Sequence, residues 1–435
     1  MRLTRAYLGA SNFARHPDNF TNFDPHDNPY EANLVRHDAP LHIINTTLNL
    51  VATTNLAWQQ RKGESFTFSP ISVGCWRLGY LPTSFYGGSK GVTLGTAMSI
   101  SGAAFNPNMG YNSSPLVTLL MTFFNARLGW WLPNPAWPVL KSKRLNTANL
   151  ASADLPSATE LECLLRKEGW MTGYLRSNGP VGGFFSPLRT LINEALGRTD
   201  DKYKWIELTD GGHFENLGLY EMVMRRCRYI VLVDSDADGD FEFEDLGNAL
   251  RKIEIDFGVP IRFPKYPNGL PMKRGIDGSN VYYALGDIYY DCVDSNPESA
   301  CSSEQQGIHN GKILYIKPCL NGSEPQGIRA YAKTHSDFPH ESTINQFFNE
   351  AQFESYRSLG SWEFASIVDE FSQGPDAPGN DIQTLFDITE SKVAGDGTSP
   401  SKSLWETIKD ALGLSKEERS APTAKPPDKK ASPTG

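Results

Sequence analysis

Residues 203–234 read YKWIELTDGGHFENLGLYEMVMRRCRYIVLVD, and this run decides the fold class. Residues 203–209 pair aromatic and β-branched residues with alternating polarity and predict a strand. Residues 217–227 carry apolar residues at helical spacing, and residues 229–234 form an unbroken apolar run suited to a buried strand. A second helix is expected over 242–257, followed by a short strand near Ile261. Strand, turn, helix and strand in this order predict an α/β protein: three layers, α/β/α, around a mostly parallel central sheet.

Working outward, strands are expected at 281–290 and 312–318 and a helix at 341–359. Upstream, LHIINTTLNLVATTN (41–55) and ESFTFSPISV (64–73) read as strands, 74–90 as a glycine-rich loop, and 94–104 as a small-residue helix packed closely on a sheet. The most apolar stretch is PLVTLLMTFFNARLGWWL (115–132). Asn125 and Arg127 argue against a bilayer span, so the expectation is a buried helix. The alternative is an interfacial surface with Phe123, Phe124, Trp130 and Trp131 facing lipid.

Three regions follow: an irregular polar arm over 1–40, the α/β domain over 41–390, and a low-complexity tail over 391–435 with one short helix, SLWETIKDALGL, at 403–414. The chain has 435 residues, 39% of them hydrophobic, and 41 Lys+Arg against 50 Asp+Glu. A net charge of −9 argues against a general nucleic-acid binder, which needs a basic face. The N-terminal run MRLTRAYLGASNFARH has no apolar core of a secretory signal, so a cytoplasmic location is expected. The six cysteines show no zinc spacing and read as reduced, partly buried thiols, although Cys292 and Cys301 are placed to bridge a loop.

Asp210 falls at the carboxyl end of a predicted strand, the edge where open α/β sheets bind ligands. Gly211 and Gly212 permit a turn that residues with a Cβ resist. A carboxylate there can act as a general base, or it can simply hydrogen-bond the turn's backbone. Glu215 and Asn216 are placed to fix the same turn, and His213 reads as structural. The run Asp234-Ser-Asp236-Ala-Asp238-Gly239-Asp240 resembles a calcium loop, but a strand precedes it and Asp245 stands where a bidentate Glu belongs. Its other reading is an acidic loop whose carboxylates cap the helix beginning near Glu242.

TDGGHFENLGLYE followed by YIVLVDSDAD resembles the C-terminal half of the catalytic domain of patatin-like phospholipases, in the microbial branch related to cytosolic phospholipases. LGTAMSISGAAFNPNMGYNSSP (94–115), GYLP (79–82) and FPHESTINQFFNEAQFESYRSLG (338–360) extend the resemblance over residues 38–360. It implies a patatin-like fold and a Ser-Asp dyad acting on lipid or fatty-ester substrates without a cofactor. In that dyad Asp210 takes the proton of a nucleophilic serine. It also implies peripheral membrane contact. The only G-x-S-x-G match centres on Ser89, where the preceding LPTSFY and following GVTLG do not fit a strand-to-helix elbow. Ser99 and Ser101 read as close-packing residues. The nucleophile is therefore unassigned, and the chain is expected to lack the domain's N-terminal strands and to be inactive alone. A catalytically inactive lipid- or partner-binding module is the second expectation.

Overall fold

The computed structural model describes residues 8–36, 39–53, 59–87, 91–124, 126, 128–139, 186–276, 278, 280–294, 310–342, 345, 348–369 and 382–393. They belong to two compact units, Met1–Glu221 and Met222–Gly435.

The first unit is organised by β1 (Ile44–Asn49), which is hydrogen-bonded along both edges. On one side lie β2 (Gly63–Phe68), β3 (Ser72–Cys75) and β4 (Gly79–Pro82); on the other lie β6 (Trp205–Asp210) and β5 (Trp130–Pro133), in the order β4-β3-β2-β1-β6-β5. Every neighbouring pair is antiparallel. Side chains alternate between faces along each strand. One face buries Ile44, Leu48, Phe66, Phe68, Ile206 and Leu208 in a single apolar cluster with Ala97 and Ile100 of helix α1 (Leu94–Ser101). The opposite face is polar and equally buried: Thr47, Asn49, Ser65, Thr67, Glu207 and Thr209 are all under a tenth exposed. Such a face is tolerable only when its groups are paired. Asn106 and Asn108 donate amide hydrogens to the two oxygens of Glu207 at 2.8 and 3.0 Å. Ser65 donates to Glu221 at 2.7 Å, and Asn49 donates to Thr209 at 2.9 Å.

Helix α2 (Pro115–Phe123) packs beside α3 (Ser186–Ala195), and α4 (Leu219–Met224) ends the run that follows β6. Only Thr118, Met121 and Thr122 of α2 are buried. Phe123 is 80%, Phe124 73% and Leu116 67% exposed, so the expected buried helix presents most of its apolar side chains outward. Its short length, nine residues, cannot bury an all-round apolar surface against one neighbour.

The second unit holds β7 (Tyr229–Val233), β8 (Ile261–Arg262), β9 (Tyr283–Ile288) and β10 (Gly311–Ile316) in the order β7-β10-β9-β8. Only β7 and β10 run parallel. Its helices are α5 (Glu244–Phe257), α6 (Asp291–Asp294), α7 (Gln326–Thr334), α8 (Glu350–Asp369) and α9 (Ile382–Val393). A small apolar cluster, Leu320, Ile328, Tyr331, Phe338 and Leu359, joins α7 to α8. Phe386 of α9 stacks at 5.0 Å on Tyr229 of β7.

The chain mixes helices and sheets as expected, but the mostly parallel central sheet is corrected. β6 and β7 do not pair, because both edges of β6 are taken by antiparallel partners, β1 and β5. Residues 79–82, expected within a loop, form β4. Cys75, Cys227 and Cys319 are free thiols, whereas Cys292 is in a disulfide whose other half lies outside the described residues. The tail helix at 403–414 also lies outside them.

Candidate functional site

The β6 ladder carries Asp210 to the end of the sheet opposite Thr46. There the chain turns into a 3-10 segment, Gly211–His213, and Asp210 caps it: its Oδ1 accepts the Gly212 N–H at 2.8 Å. Gly211 is required by close approach to backbone, whereas Gly212 faces side-chain ends. A Cβ on Gly211 would lie 2.9 Å from the Asn45 carbonyl oxygen, and one on Gly212 would lie 2.5 Å from Asn216 Oδ1. Both readings of Asp210 therefore meet in one geometry, since the carboxyl supports the turn while standing at the strand's end.

The carboxyl is half-buried. Burial pushes its pKa up from the ordinary 3.8, opposed by the Gly212 N–H and by the neighbouring His213 ring. Burial also pushes His213 down, toward the neutral imidazole. Among the described residues no lysine or arginine pairs with Asp210 and no serine hydroxyl hydrogen-bonds to it. Both ring nitrogens of His213 are engaged. Nδ1 pairs with Thr209 Oγ1 at 2.9 Å and Nε2 accompanies the Ala104 carbonyl at 3.0 Å, which ties the turn to the segment after α1. Behind it Gly110, at φ +51°, approaches so closely that a Cβ would lie 2.5 Å from the His213 carbonyl oxygen.

The turn's exit is also fixed. Glu215 accepts the Leu217 N–H at 2.6 Å and the Tyr220 N–H at 3.2 Å, so its carboxylate satisfies donors at the start of α4. Ser99 donates to the Gly95 carbonyl at 2.6 Å and Ser101 to the Asn45 carbonyl at 2.8 Å, as packing serines do. Ser101 and Gly211 thus flank the same carbonyl. Ser89 lies outside the described residues.

In the acidic loop Asp234 and Asp238 meet a residue that the sequence did not single out. Lys317 is wholly buried, and its Nζ lies 3.0 Å from Asp234 Oδ1 and 3.6 Å from Asp238 Oδ2. Tyr315 donates to Asp234 Oδ2 at 2.6 Å. A cation already occupies the loop's centre, and among the described residues no cluster of three metal-ligating side chains exists. Asp238 accepts the Glu242 and Phe243 N–H groups, just before α5, at 2.8 and 3.0 Å. Asp236 is pushed up to about 7 by burial and by sharing a proton with Asp245. Asp234, Asp238, Asp245 and Lys317 line a cavity of about 250 Å³. The missed signal was that two apolar strands end on opposite charges, YIVLV on Asp234 and KILYI on Lys317.

No protein-family model matches the chain, and no curated protein matches it.

Proposed function

We propose that the Asp210 turn is the acid half of a Ser-Asp dyad in a patatin-like lipid acyl hydrolase, with the serine supplied from outside the described residues. The observation that supports it most is the state of Asp210: a half-buried carboxyl at a strand end, with raised proton affinity and, among the described residues, no lysine or arginine partner. Such a group takes a proton from an approaching hydroxyl more readily than a solvated aspartate does. In the reaction the serine oxygen attacks a fatty-ester carbonyl as Asp210 accepts its proton, and Asp210 passes that proton to the alcohol as its bond to the acyl carbon breaks. Water then attacks the acyl-enzyme as Asp210 accepts a proton from it, and that proton returns to the serine oxygen as the fatty acid leaves. The finer patatin-like, three-layer arrangement belongs to this proposal, as does the single domain over 41–390.

The test is hydrolysis of p-nitrophenyl butyrate by the full chain, Asp210→Asn and Asp210→Ala. The chain is expected to show little or no turnover, and both variants are expected to lose whatever turnover exists. Turnover that survives both substitutions removes Asp210 from the chemistry. Robust turnover lost in both variants keeps Asp210 and places the serine within this chain.

A second reading, a lipid- or partner-binding module without catalysis, is favoured by α2, whose Leu116, Leu119, Leu120, Phe123 and Phe124 are all about half exposed or more. Co-sedimentation with phosphatidylcholine vesicles, lost in Phe123→Glu/Phe124→Glu, would support it, and binding to neither form would remove it.

A further inference from the structure

The second unit carries an open groove of about 790 Å³ beside α5, floored by Leu246, Leu250, Phe263, Tyr266, Leu270 and Met272. Its exposed lining is mostly apolar. At one end stand Phe241 and Phe243, both in the left-handed backbone region at φ +54° and +55°. Non-glycine residues are seldom held there, and strain of this kind collects at ligand clamps. The groove's charged lining is Arg262, Lys273 and Arg274 against Asp240 and Glu242, an excess of one positive charge.

The place where α9 ends points to the occupant. Lys265, between groove residues Phe263 and Tyr266, donates its ammonium to the Glu390 carbonyl at 3.2 Å. The last turn of α9 is thus tied to the groove's own loop, and α9 ends three residues later at Val393. Nine residues, 394–402, then separate Val393 from the tail segment SLWETIKDALGL. Nine extended residues reach about 30 Å. As a helix this segment places Leu404, Trp405, Ile408 and Leu412 on one stripe, with Glu406 and Asp410 off it. Its net charge, two acids against Lys409, complements the groove's excess of positive charge.

We propose that the chain's own residues 403–414 dock as an amphipathic helix in the groove formed by α5 and residues 261–274, with Trp405 and Ile408 as anchors. This does not depend on the role of Asp210. Helix-in-groove docking uses apolar anchors at such spacings. The short tether raises the effective concentration, so modest contacts suffice.

The test uses the full chain with p-benzoylphenylalanine at position 405, irradiated and mapped by mass spectrometry. Cross-links are expected to peptides holding Leu246–Leu250 and Phe263–Met272 of the same chain. Their yield is expected to fall roughly tenfold with Leu250→Asp, which buries a charge in the groove. Should Leu250→Asp fail to fold, Ile408→Asp in the tail serves instead, and the same fall is expected. Cross-links elsewhere, none at all, links joining light and heavy copies in a mixed sample, or a yield untouched by these substitutions would overturn the proposal.

Discussion

The Lys317 ammonium lies 3.0 Å from Asp234 at the adjacent carboxyl ends of β10 and β7, where the backbone of Asp234 also bonds the Ile316 carbonyl. Both side chains are 1% exposed. The register of the parallel pair, Ile316 beside Val233, sets one charge directly against the other. The loop 234–240 is therefore built around a protein cation.

Removing that cation strands a buried carboxylate. Lys317→Met is expected to destabilise the protein by about 3–5 kcal/mol, the usual cost of breaking a buried pair by one partner. Chemical denaturation checks this. Millimolar Ca²⁺ is expected to leave the melting temperature of the wild type unchanged, and a rise of several degrees would support the calcium reading.

The N-terminal arm hides a different kind of carboxyl. Asp27 accepts bonds from Arg15 at 2.8 Å and from Asn12 at 3.1 Å, but among the described residues neither buried oxygen of Glu31 has a hydrogen-bond partner. Burial pushes Glu31 up to about 7 from 4.5. The folded state thus binds a proton that the unfolded state releases above pH 4.5, so stability falls as pH rises from there to about 7. Glu31→Gln is expected to be nearly neutral at pH 4 and stabilising at pH 8, by on the order of 2–3 kcal/mol. Equal effects at both pH values, measured by urea unfolding, would contradict this.

How far the sequence exposed these features varies by type. Element identity was plain wherever periodicity was long: Glu244–Phe257, Tyr283–Ile288 and Gly311–Ile316 fall where the pattern puts them. Pairing was not legible, because alternation along β6 says nothing about which strands occupy its edges. The exposure of α2 was hidden for a related reason: an apolar run shows no preferred face, and Phe123 reads the same buried or not. Asp210 and its glycines were readable because a Gly-Gly turn after a strand is a local constraint. Lys317 was not, because its partner is 83 residues away.

Gly110 is expected to tolerate no side chain. Gly110→Ala adds left-handed strain and drives a Cβ to 2.5 Å from the His213 carbonyl. The expected loss is about 1–3 kcal/mol in urea unfolding. The displaced His213 turn should also change the amide shifts of Gly211 and Gly212. An unperturbed turn would show that the 102–113 segment does not brace it.

The most direct measurement is the side-chain carboxyl titration of Asp210 by carbon-detected NMR, with Asp210→Asn to assign the resonance. A midpoint above the ordinary 3.8 is predicted, because burial outweighs the one N–H that the carboxyl accepts. A midpoint at or below 3.8 would mean a solvated or ion-paired aspartate, and it would contradict the account of Asp210 as a proton acceptor.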